Sequence, residues 1–403
     1  MKKNALLLLL ATAMISCTQK EPKDFMTIHN AVYTIDSHTD TPLRFVRSEF
    51  HFGERHDPVK DRSCVDLPRM EEGGLDGVFL AVFLGQREMT TEGYKTAWDY
   101  SMRILDSIYA VADRYGHRAG IALSPEDGLR LEKENKRSLF IGIENGYPVG
   151  TDLGNIQTFY QRGARYITLC HTRNNQICDS STDTTLHNGL SDFGVEMVKE
   201  MNRLGMMIDV SHISDSSFYD VIRISEAPVI ASHSCARTIC DNPRNLTDSM
   251  LRTLAGNNGV IQLCILSNYV KEREPNHLRD SLQQTVRKKY RYFKDLTEEE
   301  WKSARKEWYA IDSIAPRKLA TIADAVDHID HIVEVAGIDH VGIGTDFDGG
   351  GGLADCRDVS QLPNITKELV DRGYTEEDVR KIWGGNLLRV MEAVKQQRES
   401  RDP

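Results

Sequence analysis

The sequence predicts an α/β fold, a (β/α)8 barrel of the TIM type, and two observations carry the prediction. Eight apolar runs of strand length recur along the 403 residues, and stretches with helical spacing separate most of them. The runs are almost continuously apolar, as strands are when helices cover the outside of a sheet. A doubly wound open sheet is the main alternative. It is disfavoured because no GxGxxG motif follows any run and polar residues follow most runs, which is the pattern of a parallel barrel.

The predicted elements follow from these runs in chain order. The eight strands are Val32–Ile35, Gly77–Leu84, Leu139–Ile143, Tyr166–Cys170, Met206–Val210, Pro228–Ala231, Val260–Leu266 and His340–Gly344. The best-defined helices are Tyr94–Tyr115, Asp192–Leu204, Asp215–Glu226, Thr247–Asn257 and Ala323–Ala336. The apolar positions of Thr375–Lys395 predict two closing helices that separate at Gly384–Gly385.

The stretch from Met206 to Ser234 repeats one pattern twice. Each of its two apolar runs ends in a serine followed by a histidine, His212 in the first case and His233 in the second. One amphipathic helix, Asp215–Glu226, separates the runs. A strand, a helix and a parallel strand bring both histidines to the same edge of the sheet, which suggests a metal site.

A long charged segment, Tyr269–Arg317, delays the eighth strand and is interpreted as a helical insertion on the barrel. Its aromatic residues are expected to anchor it; they are Tyr290, Tyr292, Phe293, Trp301, Trp308 and Tyr309. Two roles remain open for the insertion. It either serves structure or oligomer contact, or it covers the active site.

The N-terminus has the composition of an export signal. Lys2 and Lys3 precede the short apolar run Ala5–Ile15, and a serine and Cys17 follow. This order resembles a bacterial lipoprotein signal at residues 1–17, with Cys17 lipidated and residues 18–26 forming a polar tether to a barrel domain at 27–398. The protein is then exported and anchored to a membrane, on its periplasmic or cell-surface face. An ordinary cleaved signal peptide is the alternative.

Charge and cysteine content argue against a nucleic-acid-binding protein and against a disulfide-rich protein. The net charge of -10 and the lack of a basic block give no reason to expect a nucleic-acid partner. Seven cysteines follow Cys17, and their odd number argues against a complete disulfide framework. A single bridge such as Cys240–Cys264 remains open.

Residues that commonly bind metals follow most of the predicted strands. In a parallel barrel the carboxyl ends of all strands meet at one face, where catalytic groups gather. The residues at these ends are His38, Asp40, Glu144, His171, His212, His233 and Asp346. A single histidine is as often a hydrogen-bonded group as a ligand. Five of the seven residues are of a type that commonly binds metals and follow four separate strands, and together they predict a metal site; they are His38, Asp40, Glu144, His212 and His233.

The residue types narrow the choice of metal. His38 and Asp40 are two residues apart, so their side chains point the same way from a strand and can hold one ion. Imidazole and carboxylate together suit Zn²⁺, Mn²⁺ or Fe²⁺ better than Mg²⁺ or Ca²⁺. Three histidines, an aspartate and a glutamate exceed what one catalytic zinc needs, so two ions bridged by Glu144 fit the set better.

Other residues of suitable type have a structural interpretation. His328, His331 and His340 lie away from the strand ends and are expected to be hydrogen-bonded or surface groups. Asp346 opens the sequence Asp346–Gly349, which taken alone is also compatible with turn chemistry.

In these strand-end residues and the segments around them, the chain resembles the membrane dipeptidase (renal dipeptidase) family of zinc peptidases, a branch of the metal-dependent amidohydrolase-like barrels. The similar segments are DSHTD (36–40), IGIEN (141–145), RYITLCHTRNN (165–175), MNRLGMMIDVSH (201–212), APVIASHSCAR (227–237), DNPRN (241–245), GIGTDFDG (342–349) and GNLLRV (385–390). Together they extend over most of residues 30–395.

The resemblance implies two Zn²⁺ ions per chain. His38 and Asp40 are then the ligands of one ion, His212 and His233 those of the other, and Glu144 bridges them. The resemblance also departs from the mammalian members at Arg173, where they carry a cysteine, so their disulfide is expected to be absent here. The Tyr269–Arg317 insertion is longer than theirs.

The implied activity is hydrolysis of dipeptides, including those with a C-terminal D-residue, by a water held between the metals. His171 contacts the scissile carbonyl, and Asp346 moves protons. Arg244 binds the substrate carboxylate, although an exposed salt bridge would also explain an arginine there. The resemblance implies a homodimer.

Two alternatives to this function remain open. One is a related binuclear hydrolase of a lactone, cyclic amide or acylated amino acid. The other is a surface lipoprotein that binds peptides or metal without turnover.

Overall fold

A computed structural model describes residues 24–47, 50–293 and 296–399. The predicted signal, Cys17 and the tether up to residue 23 lie outside the described residues. The first of these, Asp24, caps a short helix by accepting hydrogen bonds from the N–H groups of Met26 and Thr27.

The sheet contains all eight predicted strands and one more. The strands are β1 Ile35–Thr39, β2 Gly77–Phe83, β3 Ala119–Ile121, β4 Arg137–Glu144, β5 Ala164–Thr168, β6 Met207–Asp209, β7 Ile230–Ser234, β8 Val260–Leu263 and β9 Val341–Ile343. Eight of them pair in the order β1-β2-β4-β5-β6-β7-β8-β9, all parallel, and the additional β3 pairs with the start of β4.

Hydrogen bonds just beyond β9 close this sheet on itself. The N–H of Asp346 donates to the carbonyl of His38 at 3.1 Å, and the N–H of Asp40 donates to the carbonyl of Phe347 at 2.9 Å. The eight main strands therefore form a barrel. The predicted (β/α)8 fold is confirmed.

Helices separate most of the strands. They are α1 Phe25–His29, α2 Pro42–Arg47, α3 Leu67–Glu72, α4 Thr91–Arg114, α5 Pro125–Lys133, α6 Gly154–Gln161, α7 Asp192–Leu204, α8 Asp215–Ile224, α9 Asp248–Gly256, α10 Ser267–Val270, α11 His277–Lys289, α12 Glu298–Ile314, α13 Ile322–Ala336, α14 Pro363–Asp371, α15 Glu376–Arg380 and α16 Asn386–Glu399. A π-helical turn, Lys381–Gly385, joins α15 to α16 at the predicted glycine pair.

Local sequence sets where the helices around the site begin and end. The side chains of Ser191, Ser214 and Thr247 cap α7, α8 and α9 by accepting a hydrogen bond from the N–H three residues later. Gly205 ends α7 in the left-handed conformation, with φ of 72°, which costs a glycine little.

Two core layers fix the barrel. Along β2, Val78 and Leu80 pack in the cluster between the sheet and the helices, whereas Phe79 points to the other side and packs in the interior cluster. The interior cluster also includes Met207, which begins β6, and Leu387 of α16. Helix α16 therefore closes the end of the barrel at which the strands begin, and the opposite end stays available for a site.

The charged segment between β8 and α13 forms a helical hairpin. Helices α11 and α12 have a small core of their own, in which Val286 and Tyr290 pack against Ala304 and Ile311. Arg279 of α11 donates to Asp312 of α12 at 2.7 Å, which ties the two helices together.

Two further findings concern membranes and disulfides. Within the described residues, no helix combines the length and the hydropathy that a membrane span requires. The seven cysteines of the described residues are all unpaired, including Cys240 and Cys264.

Candidate metal centre

Glu144, the last residue of β4, lies in a ring of four imidazoles at the barrel mouth. Its Oε2 atom is 3.3 Å from Nε2 of His38. Its Oε1 atom is 3.2 Å from Nε2 of His212, 3.6 Å from Nε2 of His233 and 3.7 Å from Nε2 of His171. All of these side chains are buried except the half-buried His171. The structure thus brings together the residues that follow strands one, three, four, five and six of the predicted barrel.

The positions of these residues relative to the strands differ from the prediction. The first strand was predicted to end before His38, but His38 lies inside β1, and His233 likewise lies inside β7. Glu144 is the last residue of its strand, and Asp40 directly follows β1. Polar residues can continue these strands because their side chains meet each other in the barrel mouth and not an apolar core.

The donor set fits divalent metal ions. Buried polar atoms are nearly always hydrogen-bonded, yet His38 Nε2 and Asp40 Oδ1 are buried without a hydrogen-bond partner among the described residues. Nε2 of His212 and Nε2 of His233 lie 2.8 Å apart, so both lone pairs can converge on one point. Imidazole nitrogens and carboxylate oxygens in this arrangement are the ligands of zinc-type ions.

Two groups of atoms are close enough to hold an ion. His38, Glu144 and His233 form one group and Glu144, His171 and His212 the other, with the ligand atoms of each group within 4.8 Å of one another. Both groups share Glu144. They divide the histidines differently from the pairing that the resemblance implies, and Asp40 belongs to neither.

Burial and charge crowding set the protonation of the ring. Burial, and next the charge of Glu144, raise the pKa of Asp40 well above its usual value. For Glu144 burial opposes ionisation, but the nearby His38 holds its pKa well below the usual value. Burial keeps the pKa values of His212 and His233 low, so both are neutral and able to donate a lone pair. Crowded carboxylates beside these two neutral imidazoles are a local charge distribution that a bound cation stabilises.

Tyr166, which the sequence analysis did not single out, orients His38. Its hydroxyl donates to the carbonyl of Ser37 at 3.2 Å and accepts from Nδ1–H of His38 at 2.8 Å. Nε2 of His38 therefore faces Glu144. Burial opposes protonation of His38, but the charge of Glu144 outweighs burial and raises the pKa of His38 to about 10. A metal ion that binds here replaces the Nε2 proton. The tyrosine ring occupies the space over Gly142, where any Cβ would overlap the ring.

A second chain of hydrogen bonds orients His233. The hydroxyl of Ser232 donates to Oδ2 of Asp209 at 2.6 Å and accepts from Nδ1–H of His233 at 2.8 Å. Asp209 is fully buried and also accepts the N–H groups of Ser211 at 3.0 Å and Ser232 at 2.8 Å. Nε2 of His233 is therefore the unprotonated nitrogen that faces the ring.

Asp36 plays the same structural part on β1. Its Oδ1 atom accepts the N–H of His38 at 3.1 Å and the N–H of Thr345 at 2.8 Å. Asp36 therefore ties β1 to the residues just after β9, as Asp209, the last residue of β6, ties β6 to β7. This Asp-x-polar spacing, present in both Asp36–His38 and Asp209–Ser211, is the sequence signal that could have revealed these residues.

Asp346 is both a turn residue and a site residue. Its carbonyl accepts the N–H groups of Gly349, Gly350 and Gly351 at 3.1, 3.0 and 2.7 Å, and its φ is 59°. A Cβ on Gly349 would overlap Oδ1 of Asp346 and lie 2.8 Å from Oδ2 of Asp40, so the turn holds both carboxylates beside each other. Burial raises the pKa of Asp346 to about 7.

Arg244 lies next to the ring and is not an exposed ion pair. It is buried, and its Nη2 donates to the carbonyl of His233 at 3.1 Å while Nη1 lies 3.4 Å from Oγ of Ser234. The guanidinium is 5.2 Å from the ring centre of Tyr269. On the other side of the ring of histidines around Glu144, His171 packs on Phe83, with 4.8 Å between the centres of the two aromatic rings.

The three histidines predicted to be structural are hydrogen-bonded away from Glu144, which confirms that interpretation. His328 Nε2 lies 2.8 Å from the carbonyl of Val270, His331 Nε2 lies 2.7 Å from Asp248, and His340 Nδ1 lies 2.7 Å from the carbonyl of Gly259.

A parallel barrel with a histidine–carboxylate ring at the carboxyl ends of its strands defines a class, the metal-dependent hydrolases. The family model described as Membrane dipeptidase (Peptidase family M19) matches residues 23–402. The chain belongs to this family and is a metal-dependent dipeptidase.

Named relatives agree with the family match. The chain is 30% identical to dipeptidase verJ of Clonostachys rogersoniana over 90% of this chain and 84% of that protein. The crystal structure of the probable dipeptidase PvdM from Pseudomonas aeruginosa superimposes with a TM-score of 0.80 and 29% identity, over 93% of this chain and 98% of that one. A metallo peptidase from Rhodobacter sphaeroides, liganded with a phosphinate mimic of the dipeptide L-Ala-D-Ala, shares the fold with a TM-score of 0.73 at 22% identity, over 90% and 99% of the two chains.

Proposed function

We propose that the chain is a binuclear zinc dipeptidase in which Glu144 bridges the two ions. His38 and Asp40 are the ligands on one side, and His212 and His233 are the ligands on the other. The supporting observation is that Glu144 directs one carboxylate oxygen to His38 and the other to His212, at 3.3 and 3.2 Å. When bound, two such ions polarise the scissile carbonyl and make the attacking water acidic near neutral pH.

Two residues of the chain move or stabilise charge during hydrolysis. Asp346 is a buried carboxyl whose pKa is about 7, so it can accept a proton from the attacking water and return it to the leaving amine. His171 reaches the ring from the opposite side, and burial lowers its pKa. Its Nε2–H donates a hydrogen bond to the oxygen of the scissile carbonyl, where negative charge develops in the transition state.

In the proposed function, Arg244 binds the C-terminal carboxylate of the substrate. Its buried guanidinium next to His233 has an Nε–H without a hydrogen-bond partner among the described residues. A planar guanidinium can bind a carboxylate with two parallel hydrogen bonds. A clamp so close to the reacting carbonyl selects very short peptides, because the carboxylate must follow the cleaved bond by one residue.

Tolerance of a D-residue at the C-terminal position is part of the proposal. It is supported by the ligand of the Rhodobacter sphaeroides structure, a mimic of L-Ala-D-Ala. A comparison of Leu-L-Ala and Leu-D-Ala as substrates tests it directly.

The membrane anchor and the homodimer are also proposals. The anchor is supported by the order of Lys2, Lys3, the apolar run Ala5–Ile15 and Cys17 in the sequence. In a bacterial host the full-length protein should incorporate labelled fatty acid and sediment with membranes, and Cys17→Ser should do neither. Light scattering of the purified protein measures its oligomeric state.

Turnover after metal exchange tests the proposed function. The protein stripped with a chelator should not hydrolyse Leu-Gly, and added Zn²⁺ should restore hydrolysis. Leu-Gly-Gly should remain intact under both conditions, because its carboxylate lies one residue too far from the cleaved bond for Arg244. A zinc-loaded protein that leaves every dipeptide intact would contradict the proposal.

A further inference from the structure

A large cavity opens beside Asp40, on the side of the ring that faces α2, α4 and the α11–α12 hairpin. Its volume is about 1130 Å³. Pockets for drug-sized ligands measure roughly 300–1,000 Å³, so the space exceeds what two small residues fill. Arg244 does not line it. The cavity therefore extends the site in a direction that the carboxylate clamp does not use.

Arginines dominate the charge of this cavity. The five that line it are Arg44, Arg47, Arg87, Arg103 and Arg305. Three aspartates also line it, and each is already engaged. Asp40 lies beside the ring and is a proposed metal ligand, Asp348 lies 3.5 Å from Arg44, and Asp99 lies 2.6 Å from Lys95 outside the lining. A chain with a net charge of -10 thus keeps a positively charged cavity next to its reactive centre, which attracts anions.

Three of these arginines contact aromatic side chains. Nε of Arg47 donates to the hydroxyl of Tyr100 at 3.2 Å, and the guanidinium of Arg103 lies 5.4 Å from the centre of the same ring. The guanidinium of Arg305 lies 5.8 Å from the ring centre of Trp301. A guanidinium that rests on an aromatic face is held in position and keeps N–H donors for a carboxylate.

The insertion supplies the apolar wall of the cavity. Phe293, Trp301, Trp308 and Tyr309 of the hairpin region line it. Arg62 holds this wall against the barrel, because its guanidinium lies 3.5 Å from the ring centre of Tyr309. Of the two roles left open by the sequence, these contacts favour the covering of the active site.

We infer that this cavity binds the N-terminal residue of the substrate and selects dipeptides whose N-terminal side chain is long and ends in an anionic group. The inference rests on the proposed function, in which Arg244 fixes the C-terminal carboxylate near His233 and leaves the Asp40 side to the other residue. The long side chain packs on the aromatic wall of α12, and the arginines bind its terminal carboxylate.

Matched substrates isolate the charge at the end of the side chain. The zinc-loaded enzyme is assayed with Nε-succinyl-Lys-Gly and Nε-acetyl-Lys-Gly, which share a backbone and differ in one terminal carboxylate. We expect kcat/KM to be at least about 10-fold higher for the succinyl substrate at low salt, with a ratio that decreases as ionic strength rises. A ratio of one or less overturns the inference.

Substitution of two rim arginines locates the effect. Arg87 and Arg305 are exposed, so Arg87→Gln with Arg305→Gln leaves the core intact. The double variant should lower the succinyl-to-acetyl ratio several-fold, whereas Arg252→Gln, at an exposed position of α9, should keep the wild-type ratio. An unchanged ratio in the double variant overturns the inference.

A binding measurement separates this inference from the proposed function. Calorimetry with Nε-succinyl-lysine and Nε-acetyl-lysine requires no turnover. Tighter binding of the succinyl compound, lost in the double variant, supports the anionic subsite even if no dipeptide is cleaved. Equal binding of the two compounds overturns the subsite even if Leu-Gly is a good substrate.

Discussion

At the residue scale, the site depends on which nitrogen of each histidine carries the proton. Tyr166 accepts from Nδ1–H of His38, and Ser232 accepts from Nδ1–H of His233. Both histidines therefore direct Nε2 toward Glu144. Outer hydrogen bonds of this kind fix the orientation of metal ligands, and their loss typically weakens metal binding by about 10–100-fold.

Ser232→Ala tests the outer hydrogen bonds of His233. The substitution removes the hydroxyl between Asp209 and His233, so we expect the affinity for the Zn²⁺ ion that we propose His233 binds to decrease about 10–100-fold. Competition with a chromophoric chelator measures this affinity. Ser101→Ala is the control, since Ser101 is buried too but donates to the carbonyl of Ala97 within α4 at 2.9 Å. Equal zinc affinity in wild type and Ser232→Ala would refute the assignment.

Arg244→Ala tests the carboxylate clamp. Loss of hydrogen bonds to a charged group costs about 3 kcal/mol, so kcat/KM for Leu-Gly should decrease on the order of 100-fold. Leu-glycinamide, which lacks the carboxylate, should be an equally poor substrate for both proteins. The role proposed for Arg244 is wrong if the wild-type enzyme cleaves Leu-glycinamide as fast as Leu-Gly.

The sequence predicted the residues of the ring but not those that orient it. His38, Glu144, His171, His212 and His233 were predictable because they follow apolar runs whose carboxyl ends must meet. Tyr166, Ser232 and Asp209 were not singled out, because an aromatic residue, a serine or an aspartate in a strand has many ordinary structural uses. Their role depends on which side chain lies across the barrel, and this is a property of strand register.

At the element scale, the apolar runs located the strands but not their ends. Strand β1 continues through His38 because Asp36 satisfies the N–H of His38 and ties it to Thr345. Strand β3 was missed because three residues, Ala119–Ile121, carry no pattern of their own and form a strand only against β4. The predicted helix Asp192–Leu204 has the observed bounds, since Ser191 and Gly205 mark both ends.

Gly142→Ala tests how closely β4 and β5 must approach. A methyl group at this position overlaps the ring of Tyr166, so we expect the free energy of unfolding to decrease by about 1–3 kcal/mol. Displacement of the tyrosine should also weaken zinc binding through His38. Denaturant unfolding and zinc titration measure the two effects. Gly256→Ala is the control, because a Cβ there meets no atom within 4 Å. Equal stability and zinc affinity of the two variants would contradict close packing of Tyr166 on Gly142.

At the scale of the whole molecule, the ring joins residues from His38 to His233 and so connects β1 with β7 of the barrel. Any ion that binds only the folded chain stabilises it, by about 2.7 kcal/mol when its concentration is 100 times its Kd. The arginine-lined cavity is likewise formed by residues that are far apart in the sequence, from Arg44 to Arg305. The sequence alone did not reveal this cavity, because its arginines lie on α2, α4 and α12 and in the segment between β2 and α4, which share no common pattern.

Removal of the metal should therefore destabilise the whole chain. We expect the chelator-stripped protein to unfold at a temperature several degrees below that of the zinc-loaded protein in scanning calorimetry. Glu144→Gln should lose most of this difference, because the shared ligand is weakened. Identical unfolding temperatures with and without zinc would show that the ring does not bind the ion.

The central claim is that two ions joined by Glu144 carry the dipeptidase activity. Stepwise addition of Zn²⁺ to the stripped protein, with bound metal counted by mass spectrometry and Leu-Gly hydrolysis followed in parallel, tests it most directly. We expect activity to reach its plateau at two bound ions per chain. Full activity at one ion per chain, with no further gain from a second, would contradict it.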